Sequence, residues 1–175
     1  MILGLDVSTS VTGASVINKE GKLIFCEAWR TDKKGLSFYD KLYILKKRMK
    51  SINELFKINA IFIEEPLMGF KSGFSSAQTI SKLQRFNGAV CWICKETFHR
   101  EPVPIRASAA RKQCGIKVPR GSNSKQVVLE HVLDSEEEFE ISYTKNGNPV
   151  KGSYDMADSL VIARAAYLQK KIKNT

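Results

Sequence analysis

Apolar and polar positions follow two different periods along this chain of 175 residues. Ile2 to Leu5 is a short apolar run that closes on Asp6, Thr12 to Asn18 resumes a strand-like pattern, and Leu23 to Arg30 follows the turn Lys19-Glu-Gly-Lys22. Short β-patterned runs separated by turns predict a three-stranded antiparallel meander. The period then changes: Phe38, Leu42, Leu45, Met49, Ile52 and Phe56 recur at steps of three and four. With Ser37 and Asp40 placed as a capping box, this stretch predicts the clearest helix of the chain. Ala60 to Ile63 is continuously apolar, as a strand buried on both faces is, and it delivers Glu64 and Glu65 to its carboxyl end.

Pro66 to Phe74, with Gly69 and Gly73, reads as a loop, and Ser75 to about Phe98 as a long, mostly apolar helix. Pro102 to Arg106 fits a further strand. Helical pieces follow at Ser108 to Cys114 and Ser124 to Leu133, joined by a basic linker with Gly115 and Gly121. Asp134 to Glu140 is an acidic run and Lys145 to Pro149 a turn, so the interval before Tyr154 is a loop or a small hairpin. From Tyr154 to Ile172 the pattern is helical again, closing in Lys170, Lys171 and Lys173, which suit the negative end of a helix dipole. Strands first, then helices alternating with strands, predict a mixed α/β layer in one domain spanning 1–175.

Composition agrees with one domain: 43% of the residues are hydrophobic, enough for a core at this length. Lys and Arg number 28 against 18 acids, a net charge of +10, which favours a polyanionic partner over a neutral one. A basic but non-binding surface is the plain alternative. Lys46, Lys47, Arg48 and Lys50 on the first helix are most simply a solvated face, with direct DNA contact as the other reading. No apolar run approaches the roughly 18 residues of a membrane span, and Met1 leads into a strand rather than a signal peptide. The expectation is a cytoplasmic protein without a membrane partner. The four cysteines, Cys26 and Cys114 among them, make no disulfide scaffold; Cys91-Trp-Ile-Cys94 has metal-like spacing but no second pair, so a buried structural role is expected for it, with metal or redox work as the other reading. His99 and His131 read as structural or surface residues.

Against this basic background the acids at apolar strand ends stand out. Asp6 and Glu64 each close a run too apolar to be exposed, and open sheets place ligand sites outside their strand ends. A carboxylate there is costly unless it is solvated or bound to a metal. Asp155 and Asp158, three apart on the last helix, face the same side and could share a cation, although taken alone the pair is better explained as N-terminal helix acids. Taken together, four carboxylates suit one or two Mg²⁺ ions, which would activate a water and stabilise the leaving oxygen of an in-line phosphodiester cleavage. Strand alternation turns Glu65 to the opposite face.

These residues resemble a known family. Ile2-Leu-Gly-Leu-Asp6 through Thr12-Gly13 to Ile17 resembles the opening of RuvC Holliday junction resolvases, of the RNase H-like superfamily; Ile61-Phe-Ile-Glu64-Glu-Pro-Leu-Met68 resembles their second acidic strand. Gly121 to Val128 is similar to their basic loop-to-helix segment, and Asp155-Met-Ala-Asp158 to Ala163 to their last motif. Each motif is short; four in the family's order, across nearly the whole chain, are more specific than any one. The resemblance implies an RNase H-like mixed five-stranded sheet, with three antiparallel strands and then parallel ones, flanked by helices. It also implies a homodimer that makes paired symmetric nicks in a four-way junction with two Mg²⁺ ions, Mn²⁺ serving as a substitute. Catalytic and metal-binding roles carry over to Asp6, Glu64, Asp155 and Asp158, and DNA contact to Lys125. Arg111, Lys112, Lys117 and Arg120 lie in the neighbouring basic stretch, as phosphate contacts or ordinary surface charge.

Departures are visible too. Val7-Ser8 stands where the family has Pro-Gly, and Leu67 where it often has an aromatic wedge. Phe70 or Phe74 could stack on unpaired bases instead, or pack on their own domain. The interval from Asp134 to Gly152 is longer than the family leads one to expect. Other readings remain: an RNase H-like nuclease on flaps or RNA–DNA hybrids, and a junction-binding protein without catalysis. Asp6-Val-Ser-Thr-Ser also fits the phosphate strand of a sugar-kinase or actin-like ATPase, but that fold needs two such domains.

Overall fold

In the computed structural model, which describes residues 1–66 and 76–173, three consecutive strands form the meander: β1 (Ile2–Val7), β2 (Val11–Ile17) and β3 (Leu23–Arg30). Both pairings are antiparallel, with Asp6 opposite Gly13 and Val11 opposite Arg30. Helix α1 (Phe38–Leu55) starts on a complete capping box: the Ser37 hydroxyl accepts the Asp40 N–H and the Asp40 carboxylate accepts the Ser37 N–H. It returns the chain to β4 (Ala60–Glu64), which lies parallel to β1. Helix α2 (Ala77–Phe98) then leads to β5 (Val103–Ile105), parallel to β4. The sheet order is β3-β2-β1-β4-β5. Helices α3 (Ala107–Gln113), α4 (Ser124–Ser135) and α5 (Ser153–Lys173) complete the fold. Every element expected from the sequence is present, most with ends displaced by a residue or two.

Because side chains alternate along a strand, the sheet divides the core in two. Leu3, Leu5, Ile61 and Ile63 pack with Leu45 and Met49 of α1 and Phe86 and Val90 of α2. Ile2 and Phe62 turn the other way, towards Leu160 and Val161 of α5 and Leu129 of α4. By the same alternation Asp6 and Glu64 fall on the α5 face.

Two glycines let α5 approach that face. A Cβ on Gly4 would stand 2.3 Å from the Ser159 carbonyl oxygen, and one on Gly13 1.8 Å from that of Asp155. No larger residue fits at either place without moving the helix. The contact is also hydrogen-bonded, since Ser15 Oγ of β2 and Ser159 Oγ of α5 lie 2.6 Å apart in a fully buried position. A buried polar pair of this kind fixes rotation as well as distance.

The interval after α4 is a hairpin: Val150 donates to the Ser142 carbonyl, Thr144 to that of Asn148, and Tyr143 and Pro149 form a bridge. All four cysteines are free thiols. Cys94 is buried against Met49, and burial pushes its thiol up to about 12, which matches the expected structural role. Among the described residues, no helix is long and apolar enough to cross a membrane.

Candidate active site

Asp6 stands one residue past the β1–β4 rung Leu5↔Ile63, so Glu64, the next residue of β4, is its neighbour across the parallel ladder. Gly13, opposite Asp6, admits the backbone of Asp155. Three elements therefore deliver Asp6, Glu64, Asp155 and Asp158 to one end of the sheet and one face of it. Glu65 leaves this group, as alternation predicts: it accepts from Arg106 Nε at 2.9 Å.

The cluster is electrostatically strained. Asp6 is held well above the usual carboxylate range by withdrawal from water first, and then by the charges of Glu64, Asp158 and Asp155, while Lys125 pulls the other way. Burial also raises Asp158, to about 6, with Glu64 and Asp155 adding to the rise and Lys125 and Arg111 opposing it. Lys125 lies 3.2 Å from Asp155 Oδ1 and 3.7 Å from Asp158 Oδ2. Burial works against its charge, yet the attraction of Asp155, Asp6 and Asp158 outweighs that and raises its pKa.

Lys125 owes its position to local chemistry. The Asn123 side chain caps α4 by accepting from the Lys125 and Gln126 N–H groups. Tyr154 donates to Gln126 Oε1 at 2.9 Å, tying the first turn of α4 to that of α5. On the opposite side the β1–β2 turn is closed by Ser8, whose hydroxyl accepts from Ser10 and Val11 and donates to the Val11 carbonyl. Lys41 and Thr31 both donate to the Thr9 carbonyl. Val7-Ser8 thus builds a tight, well-anchored turn directly after Asp6 without Pro-Gly.

The donor set fits a hard divalent cation: four carboxylates, no softer ligand, and mutual repulsion that a cation relieves. Lys125 already acts as a stand-in positive charge between two of them. Among the described residues no three acidic, histidine or cysteine side chains converge on one point as metal ligands do. Holding such an ion would need the carboxylates closer together than they stand here.

Of the other expected residues, Arg111 is near enough to act on Asp158 and donates to the Ala107 carbonyl. With Ser108, Lys112, Gly115, Ile116 and Lys117 it lines a cleft of about 350 Å³. Arg120 is exposed outside that lining. Leu67, Phe70 and Phe74 lie outside the described residues. The anchors Lys41, Gln126 and Tyr154 were not singled out in the sequence, because each acts through a partner distant along the chain.

No family model and no curated protein matches the chain. Solved structures do. Thermus thermophilus RuvC in complex with a Holliday junction substrate superposes with a TM-score of 0.69 at 15% identity, covering 98% of this chain and 94% of that one. A second Thermus thermophilus RuvC structure gives 0.66 at 15% identity, over 98% and 96% of the two chains. The yeast mitochondrial Holliday junction resolvase Ydc2 gives 0.58 at 17% identity, over 99% and 80%. The fold is accordingly RuvC-like, an RNase H-type mixed sheet flanked by helices.

Proposed function

We propose that this protein is a metal-dependent endonuclease that cuts branched DNA, a four-way junction above all. The observation that carries the reading is that Asp6, Glu64, Asp155 and Asp158, from two strand ends and one helix face, lie close enough to act on one another's charge in a chain otherwise strongly basic. The likeness in fold to proteins that act on Holliday junctions supports the choice of substrate. In this reading the four carboxylates hold Mg²⁺, one ion or two. When bound, such ions supply an activated water and neutralise charge at the leaving oxygen. Asp6 and Glu64 come from rigid strands and fix the site against the sheet. Asp155 and Asp158, carried by α5, complete it, and Lys125 places a cation beside the phosphate. Arg111, Lys112 and Lys117 then hold the strand through its backbone.

A homodimer belongs to the same proposal. Trp92 is 69% exposed on α2, a large apolar side chain on a helix whose other face is already buried against the sheet. Light scattering is expected to show a dimer; a monomer at all working concentrations would count against paired nicking.

Cleavage of a synthetic four-way junction, a flap, a linear duplex and an RNA–DNA hybrid, side by side in Mg²⁺, tests the substrate. The junction is expected to be cut fastest, by paired symmetric nicks. Preference for the hybrid or the flap would replace this reading with a general RNase H-like nuclease, and binding without any metal-dependent cutting would leave a non-catalytic junction binder.

A further inference from the structure

We propose that the hairpin Ser142–Val150 is a second DNA-contacting element, gripping the strand on the β3 side of the acids through Tyr143 and Lys145. The inference rests on the nuclease reading above and adds to it a segment that is not part of the lining of the basic cleft. Position is the first argument. β1 ends, β2 begins and β3 ends at the same edge of the sheet, because Val7 pairs with Thr12 and Val11 with Arg30. Asp32, just past β3, accepts from both Arg30 and Lys151, so the base of the hairpin is fixed at the edge that carries Asp6. Gly152, at a φ of +103°, then packs on Ala28 and Val11 and feeds the chain into α5, three residues before Asp155.

Charge is the second argument. The acidic run before the hairpin is tied down at the opposite end of the sheet, where Glu136 receives Arg164 and Glu138 receives Lys22 of the β2–β3 turn. Between Ser142 and Lys151 there is no acid at all. The segment thus keeps its negative charge away from the site, while the hairpin itself carries only cations and is anchored by its base at the end that holds Asp6. Chemistry of the tip is the third. Tyr143 is 55% exposed, and Lys145 is exposed and in none of the ion pairs among the described residues, so both side chains are open to a ligand. An aromatic ring for a base and an ammonium for a phosphate are the groups with which single strands are held.

Anisotropy titrations of a fluorescent four-way junction in EDTA, across a range of salt, test this with the full chain. Tyr143→Ala is expected to weaken binding about tenfold, in line with the loss of one stacked base. Lys145→Ala is expected to lower the slope of log affinity against log salt by about 0.7, the signature of one lost single-strand phosphate contact. Lys145→Glu should weaken binding further, and melting temperatures of all three should equal wild type. If wild type binds the junction and all three variants bind it equally well, the hairpin proposal is overturned while the nuclease reading stands. If wild type binds no branched DNA, both fall together.

Discussion

Asp6 and Asp158 pay for their chemistry in the stability of the fold. A carboxylate whose folded pKa is raised binds its proton more tightly when native than when unfolded, so stability rises as pH falls through the interval between the two values. For Asp158 that interval runs from about 6 down to the ordinary value of 3.8. Without metal, the contribution of this residue should therefore increase stability between neutral pH and about pH 5. Acids lowered by ion pairing, such as Asp32 with Arg30 and Lys151, act in reverse, and their contribution is lost as pH falls below about 4. Asp158→Asn removes the penalty. In EDTA at neutral pH it is expected to stabilise the protein by about 1–3 kcal/mol, or roughly 2–12 °C in melting temperature. Mg²⁺ should raise the melting temperature of wild type more than that of the variant, because a ligand stabilises only the state that binds it. An Asp158→Asn protein less stable than wild type in EDTA would show that Lys125 already compensates the cluster fully.

At the scale of elements, the site depends on how closely α5 lies on the sheet. Gly13→Ala places a methyl group on the Asp155 carbonyl, so the helix must retreat and carry both of its carboxylates away from Asp6. A loss of about 1–3 kcal/mol in thermal or urea unfolding is expected, with cleavage falling at least a hundredfold in protein that remains folded. Ser159→Ala breaks the bond to Ser15 without any clash and should cost about 1–2 kcal/mol, with a milder loss of activity. Equal activities in the two variants would refute the role assigned to the approach of α5. The elements themselves were legible because their signals are local: the capping box of α1, the apolar runs of β1 and β4, and the alternation that separates Glu64 from Glu65. The candidate site was legible as a set of acids. Its assembly was not, since Gly13 and Asp155, or Ser15 and Ser159, are partners across more than 140 residues and neither type alone announces the other. The hairpin was legible only as an alternative to a loop, because a turn signal does not say where its tip will be held.

Across the whole molecule, the longest acidic run is held apart from the four acids. The run from Asp134 to Glu140 is neutralised in part by Arg164 and Lys22 at the far end of the sheet, away from the four acids. The net charge of +10 thus acts as a field that draws a polyanion towards a small negative centre. In the proposed function a divalent cation would have to fill such a centre before phosphate could approach it, so binding and cutting are expected to separate by metal. The most direct measurement is therefore cleavage and binding of one synthetic four-way junction by wild type and by Asp6→Asn, each with Mg²⁺ and with EDTA. Wild type should nick the junction only with Mg²⁺, and Asp6→Asn should bind it at least as tightly while cutting it at least a thousandfold more slowly. Undiminished cutting by Asp6→Asn, or cutting by wild type in EDTA, would contradict the assignment of the four carboxylates as the metal-binding catalytic centre.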